Sequence, residues 1–537
     1  MADVLLIQRL TASPAGTQWQ KIGISSHHGI ALPLFSLHSR HSCGIGEFPD
    51  LIPLIDWCHS LGFDLIQLLP LNDSEPDTSP YCALSAYALN PLLIGISSLP
   101  HAQEDKVLQQ QITDLQLLTN KTQRINYPHV QEKKGAFFRE YYRLHGGTIT
   151  AQEEYRKFKE KNCFWLNDYA LFKALKIRFQ WQPWETWPSP FRDPAPSFYI
   201  SPPQELATEA DFHIFLQYLC FSQFAAVKKH SENTGVFIKG DIPILINRES
   251  ADVWCHRNLF ILDLAAGAPP DMYAKEGQKW GFPLYNWEAI ASQGYRWWIE
   301  RLAVATQLYH LYRIDHIVGF FRIWGIPLSL SAKEGHFVPE DQNTWIHHGE
   351  VIMRAMLANS SMLPIGEDLG TVPPEVRNCL KNLGICGTKV MRWERRWNED
   401  GGFIDPRDYP PESMTTVSTH DSETVELWWK NQPEEAKQYA DSQGWTYTPQ
   451  LSQRQRFAIL RASNQSSSLF HINLLQEYLA LIPHMVWPDP VDERINIPGL
   501  ISDINWSYRF RPSIEEITSS NTLRQIVSLC VSAAPVK

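Results

Sequence analysis

Apolar positions along the chain fall into short runs separated by stretches of helical spacing. Seven β-branched or Leu-rich runs end in polar, Gly or Pro residues: HHGIALPLFSL (27–37), FDLIQLLP (63–70), GVFIKGDIPIL (235–245), LYRIDHIVG (311–319), MLPIGEDLG (362–370), ICGTKVMRW (385–393) and TTVSTHD (415–421). Near-continuous apolar strands alternating with helices predict a parallel sheet covered on both faces. An eighth strand near LIPHMVW (481–487) would close that sheet into a (β/α)8 TIM barrel. The stretch 71–234 is far longer than one strand–helix–strand step. It holds a polar segment of helical spacing (101–125) and an aromatic, Pro-punctuated one (179–203), so it reads as a mostly helical insertion after strand two. No Gly/Ser linker and no fixed-period repeat divides the chain. The expectation is one elaborated α/β barrel over 1–537 with large, mostly helical insertions, a lid or insert at 266–300, and no C-terminal β-sandwich domain.

Composition narrows the class. With 44% hydrophobic and 20% charged residues among 537, the chain has ample apolar material for a large core. A formal net charge of −10 without a dense Lys/Arg stripe disfavours nucleic acid as a partner. The start, MADVLLIQRLTASPAG, lacks a basic segment followed by a long apolar one, and no run of eighteen apolar residues occurs; the reading is a cytoplasmic protein with no membrane partner. Nine scattered cysteines without a CxxC pair read as reduced core residues. Twenty tryptophans serve packing, and also suit a protein that stacks on sugar rings.

Charged groups sit where strands end: Asp241 in KGDIP, Arg313, Asp315 and His316 in YRIDH, Glu367 and Asp368 in IGEDLG, His420 and Asp421 in STHDS. In α/β barrels functional groups occupy those C-terminal ends. Any one such residue is ordinarily a strand-end cap or an ion-pair partner, but several carboxylates from successive strands call for chemistry. Cleaving a glycosidic bond with retention needs one ionised and one protonated carboxyl, about 5–5.5 Å apart. Arg313 beside Asp315 favours the carboxylate, making Asp315 the natural nucleophile. Glu367, bracketed by Ile365 and Leu369 and near other carboxylates, can hold a proton and is the natural acid/base. His420 and Asp421 are placed to hold sugar hydroxyls as the ring flattens. Beyond YRIDH, Phe320 and Phe321 read as packing, while Trp324 is open between core and sugar groove.

The chain resembles the amylomaltase, or disproportionating-enzyme, family of 4-α-glucanotransferases, a branch of the α-amylase superfamily. The segments that carry the resemblance are CGIGEF (43–48), SPYCALSAYALNP (79–91), KGDIPI (239–244), SADVW (250–254), AGAPPD (266–271), GQKWGFPLYNW (277–287), YRWWIERL (295–302), RIDHIVGFFRIWGIP (313–327), GEDLG (366–370), STHD (418–421) and NIPG…NWSYR (496–509). Their order and their span over nearly the whole chain make the set specific. The resemblance implies that Asp315 forms a covalent glucosyl intermediate, Glu367 is the acid/base, and Asp421 stabilises the transition state. It implies sugar-hydroxyl contacts for Arg313, His316 and His420. Tyr81, Asp252, Trp254, Gln278, Trp280 and Asn496 match positions lining the glucan groove or its lid, with ordinary packing a competitor for the aromatics.

The implied activity is transfer of an α-1,4-glucan segment to another 4-hydroxyl. Whether water or a sugar resolves the intermediate depends on water exclusion, for which PPDMYAKEGQKWG (269–281) reads as a cover. An α-glucan hydrolase on the same barrel is one alternative, and a non-catalytic glucan-binding protein another. Sugar transfer through a carboxylate ester implies no cofactor and no metal. Oligomeric state and preferred glucan length are not written in the sequence.

Overall fold

The computed structural model describes residues 4–119, 122–270 and 275–532. Eight strands form its centre: β1 (His27–Leu32), β2 (Leu65–Leu68), β3 (Phe237–Ile242), β4 (Leu311–Ile314), β5 (Leu363–Gly366), β6 (Gly387–Val390), β7 (Ser413–Thr416) and β8 (Phe470–Leu474). All neighbours are parallel, in the order β5-β4-β3-β2-β1-β8-β7-β6. A parallel bridge between Ile365 and Cys386 joins β5 to β6 and completes the ring. The (β/α)8 barrel is therefore the fold.

The eighth strand is not where the apolar run pointed. Residues Phe470–Leu474 pair with β1 and β7 and are buried throughout, whereas Pro483–Met485 in the LIPHMVW run forms a short 3-10 turn. Pro483 fixes φ and carries no N–H, so that run cannot serve as a strand paired on both sides.

Between β2 and β3 lie four long helices, Lys106–Thr119, Tyr127–Thr150, Glu153–Arg178 and Gln204–Thr234. The last ends on Gly235 in the left-handed conformation (φ 73°), which satisfies its terminal carbonyls and turns the chain directly into β3. The insertion is fastened to the loop after β2 by a buried ion pair: Lys173 Nζ lies 2.7 Å from Asp73 Oδ2 and 2.8 Å from Glu75 Oε2, and Tyr169 donates to Asp73 Oδ2 at 2.6 Å. That loop carries Tyr81.

A small antiparallel sheet built from 264–268, 278–279, 323–327 and 336–338 stands beside the β4 end of the barrel. Trp324 belongs to it, donating to Ala332 O at 2.8 Å and packing edge-on to Phe337; Phe320 and Phe321 are fully buried. Among the described residues β8 is followed by helices and turns and no further strand, and no helix is long and apolar enough to cross a membrane.

Candidate active site

Strand register brings the charges together. Asp241 on β3 is opposite Arg313 on β4, and Asp315 and Glu367 each stand one residue beyond β4 and β5. Backbone bonds sew these ends into one rim: Asp315 N–H donates to Ile242 O at 3.3 Å, Glu367 N–H to Ile314 O at 2.9 Å, and Ile317 N–H to Glu367 O at 3.1 Å. The apolar strands below fix the backbone, so side chains at their ends converge with little freedom.

Arg313 is the hub. Its Nη1 donates to both oxygens of Asp241, at 3.0 and 2.9 Å, while its Nη2 lies 2.8 Å from Asp315 Oδ1 and 3.8 Å from Glu367 Oε2. One guanidinium nitrogen thus faces two carboxylates that approach from different strands. Because both are measured from that nitrogen, the two oxygens are no farther apart than the sum of those two distances. Asp315 is the more open, with 26% of its side chain exposed against 16% for Glu367.

Glu367 is held by backbone donors: His316 N–H to Oε2 at 3.0 Å and Leu369 N–H to Oε1 at 2.8 Å. His316 reaches this position because it adopts the left-handed conformation (φ 46°), which breaks strand alternation immediately after Asp315. Burial raises the Glu367 carboxyl to about 7, Asp315 adds repulsion in the same direction, and Arg313 with the two N–H groups restrains the rise. Its neighbour in GEDLG faces away from this cluster. Asp368 accepts from Thr388 N–H at 2.7 Å and from Arg377 Nε at 3.1 Å, fastening the loop to β6.

On the opposite rim, Tyr81 donates to Asp241 Oδ2 at 2.8 Å and lies 3.0 Å from His420 Nε2. With the tyrosine proton spent on Asp241, His420 Nε2–H is the donor to Tyr81 Oη, and the same nitrogen lies 3.2 Å from Asp421 Oδ2. Burial lowers the His420 imidazole, but Asp421 and Asp241 outweigh it and raise it. Asp421 Oδ1 accepts from Asn496 Nδ2 at 2.7 Å. Burial would raise Asp421; His420, Asn496 and Arg313 overcome it and hold the carboxyl below its ordinary range. One rim therefore keeps a carboxylate ionised and the other keeps a carboxyl near neutrality.

Of the residues singled out in the sequence, Asp315, Glu367, Asp421, Arg313, His316, His420, Tyr81 and Asn496 meet in this cluster. Trp280 approaches it edge-on to His316, ring centroids 5.0 Å apart, and Gln278 accepts the Trp280 indole N–H at 3.0 Å. Asp252 and Trp254 do not join it. Asp252 is buried, accepting from Ala86 N–H at 2.9 Å and Trp297 Nε1 at 3.0 Å, and Trp254 donates to Phe191 O at 3.0 Å among Phe172, Trp187 and Tyr199. Their polar atoms are satisfied within the protein, as in a scaffold joining the insertion to the barrel. The expected cover at 269–281 lies partly outside the described residues, at 271–274.

Two participants carried no signal strong enough for the candidate set. Asp241 stands out in the sequence only as one strand-end charge, yet it orients Arg313. Trp506, within NWSYR, packs at 5.5 Å from the Tyr81 ring and 6.0 Å from His420, and its left-handed backbone (φ 61°) is visible only in three dimensions.

Fold and site together define a (β/α)8-barrel enzyme with carboxylates gathered at the C-terminal mouth. Residues 32–515 match the family model described as 4-alpha-glucanotransferase, glycoside hydrolase family 77. The chain is 45% identical over 507 residues to the 4-alpha-glucanotransferase of Chlamydia caviae, covering 94% of each, and 33% identical to that of Thermus thermophilus, covering 83% of this chain and 87% of the relative. Among solved structures, amylomaltase from Streptococcus agalactiae in complex with acarbose superposes with a TM-score of 0.79 at 24% identity, over 94% of this chain and 99% of that one, a likeness of fold. The chain belongs to the 4-alpha-glucanotransferase family, glycoside hydrolase family 77. It is a glycosyltransferring enzyme that acts on α-glucans.

Proposed function

We propose that the enzyme transfers a segment of an α-1,4-glucan between maltooligosaccharides by double displacement through a glycosyl ester on Asp315. In the first step an Asp315 carboxylate oxygen attacks the anomeric carbon. Glu367 gives its proton to the glycosidic oxygen, and the leaving glucan departs with a free 4-hydroxyl. In the second, Glu367 takes the proton of an acceptor 4-hydroxyl, whose oxygen attacks the same carbon and releases Asp315. Two inversions give net retention.

The observation that carries this reading is the shared Arg313 contact of Asp315 and Glu367, with Glu367 raised to about 7. Part of that rise is repulsion by the Asp315 charge. Esterification removes the charge while Arg313 remains, so Glu367 becomes a stronger acid once its proton has gone to the leaving group and rests as a base ready for the acceptor. Asp421, held ionised by His420 and Asn496, supplies negative charge and acceptor oxygens for the sugar as positive charge develops at the anomeric centre. Trp280, Trp506 and Tyr81 offer flat faces around that centre.

Incubation with pure maltotriose tests the reading. A ladder of longer and shorter oligosaccharides with little net gain in reducing ends is the expected outcome, lost in Asp315→Asn. A stoichiometric rise in reducing ends identifies a hydrolase instead, and full activity in Asp315→Asn removes Asp315 as nucleophile.

A further inference from the structure

Lys239 lies inside the barrel with none of its surface exposed. It is two residues before Asp241 on β3, on the same face of the strand, and so one layer below the carboxylates. Its register partners are Gln67 on β2 and Leu311 on β4. Nζ donates to Gln67 Oε1 at 2.8 Å and lies 3.0 Å from Met414 Sδ on β7, four places round the ring, so the side chain spans the lumen. Among the described residues no carboxylate forms an ion pair with it.

Barrel interiors are ordinarily filled by branched apolar side chains. Taking an ammonium out of water in return for one amide oxygen and a thioether is unfavourable, and packing alone gives no reason for it. The layer above gives one. There Asp241, Asp315 and Glu367 surround a single guanidinium, and the Asp315 charge raises the cost of ionising both of the others.

We propose that Lys239 is a positioning residue: from the layer beneath, its ammonium keeps Asp241 ionised and bound to Arg313, and through Arg313 holds the arrangement of Asp315 and Glu367. This deepens the glucan-transfer reading and rests on it. The groups facing Lys239 are Gln67 from β2, Asp241 from its own strand, Arg313 from β4, Cys386 beside β6 and Met414 from β7. Burial and the Arg313 charge pull the ammonium down to about 7, while Asp241 and the Cys386 thiol pull it up. It is therefore charged on the acid side of neutrality, where the carboxylates most need help to stay ionised.

The test is the pH profile of maltotriose disproportionation by wild type, Lys239→Met and Gln67→Glu. Met matches the lysine stem and removes a buried charge, so thermal stability is expected to hold or rise. The acidic limb of kcat/KM is expected to move to higher pH by about half a unit or more, with kcat at pH 6 down about fivefold and KM within about twofold. Gln67→Glu neutralises the ammonium without removing it and is expected to move the same limb in the same direction, which keeps the test decisive if the Met variant folds poorly. An acidic limb that stays in place in both variants, or in Gln67→Glu alone when the Met variant does not fold, overturns the proposal. So does a loss of thermal stability with an unmoved profile, which makes Lys239 a space-filling residue. A wild type that produces no oligosaccharide ladder overturns the glucan-transfer reading itself, and this inference with it; a ladder with unmoved limbs overturns this inference alone.

Discussion

Arg313 grips Asp241 through both carboxylate oxygens, at 3.0 and 2.9 Å, and by that grip points its other nitrogen at Asp315. The residue that aims the arginine is thus distinct from the proposed nucleophile, and it lies 72 positions before Arg313 in the chain. Both contacts come from one nitrogen, Nη1, so Asp241 fixes that end of the guanidinium while Asp315 holds Nη2 at the other.

Asp241→Asn is the sharpest probe of that relationship. The amide cannot receive both Nη1 contacts as a carboxylate does, so Arg313 swings relative to Asp315. A fall in kcat of about a hundredfold is expected from misplaced reacting groups. A loss of roughly 3–5 kcal/mol in unfolding free energy is expected from the broken buried pair. Steady-state kinetics and urea denaturation measure the two effects; an unchanged kcat shows that Arg313 is oriented by something else.

On the proposed mechanism Glu367 is expected to set the alkaline limb. With its carboxyl raised to about 7, the proton needed by the leaving oxygen is present below that pH and lost above it, so kcat/KM falls as pH rises through neutrality. Glu367→Gln is expected to lower the rate on maltotriose by about 10²–10⁴-fold. The same variant is expected to retain glycosylation by an α-maltosyl fluoride, whose leaving group needs no proton. Burst measurements with the fluoride separate this from a general loss of the site.

Asn496→Ala removes one of the groups that keep Asp421 ionised. Asp421 then titrates at higher pH, the acidic limb moves up, and kcat is expected to fall about tenfold, as for loss of a hydrogen bond to a charged group. Stability follows the same sign. A carboxyl depressed in the folded state contributes above its unfolded pKa, near 3.9, and that contribution is lost as pH falls through the folded value. The stability gap between variant and wild type should therefore persist down to about pH 3 and close only in stronger acid, which melting curves carried from pH 7 to below pH 3 record.

Trp254→Ala separates scaffold from groove. The indole is 2% exposed and packed among Phe172, Trp187 and Tyr199, so the expected cost is about 3–5 kcal/mol of unfolding free energy with KM for maltotriose within about twofold of wild type. A large rise in KM at unchanged stability assigns Trp254 to the sugar groove after all.

Much of the barrel was legible in the chain because its strands are locally determined. Seven apolar runs ending in polar, Gly or Pro residues give seven of the eight strands, since burial on both faces of a parallel sheet demands near-continuous apolar residues over four to six positions. The eighth escaped for the same reason. Phe470–Leu474 carries His471, whose Nε2 meets Ser466 O, and Asn473, which bonds Ser463, Val417 and Tyr478, partners that the strand's own alternation does not display. Asp252 and Trp254 were legible as part of a family motif, but a motif does not say which way a side chain faces.

The sequence by itself determined the repeating strand and helix pattern, the insertion after strand two, and the residue types needed for two-carboxylate chemistry, all of which depend on neighbours within a few residues. Tertiary structure alone decided which charges meet. Tyr81 finds His420 across 339 positions, Asp241 orients Arg313, Lys239 reaches Met414 through the lumen, and Trp506 closes on Tyr81. Those pairings depend on ring closure and register, and the pKa differences among identical carboxyl groups arise from burial and charge contacts that exist only once the barrel is shut.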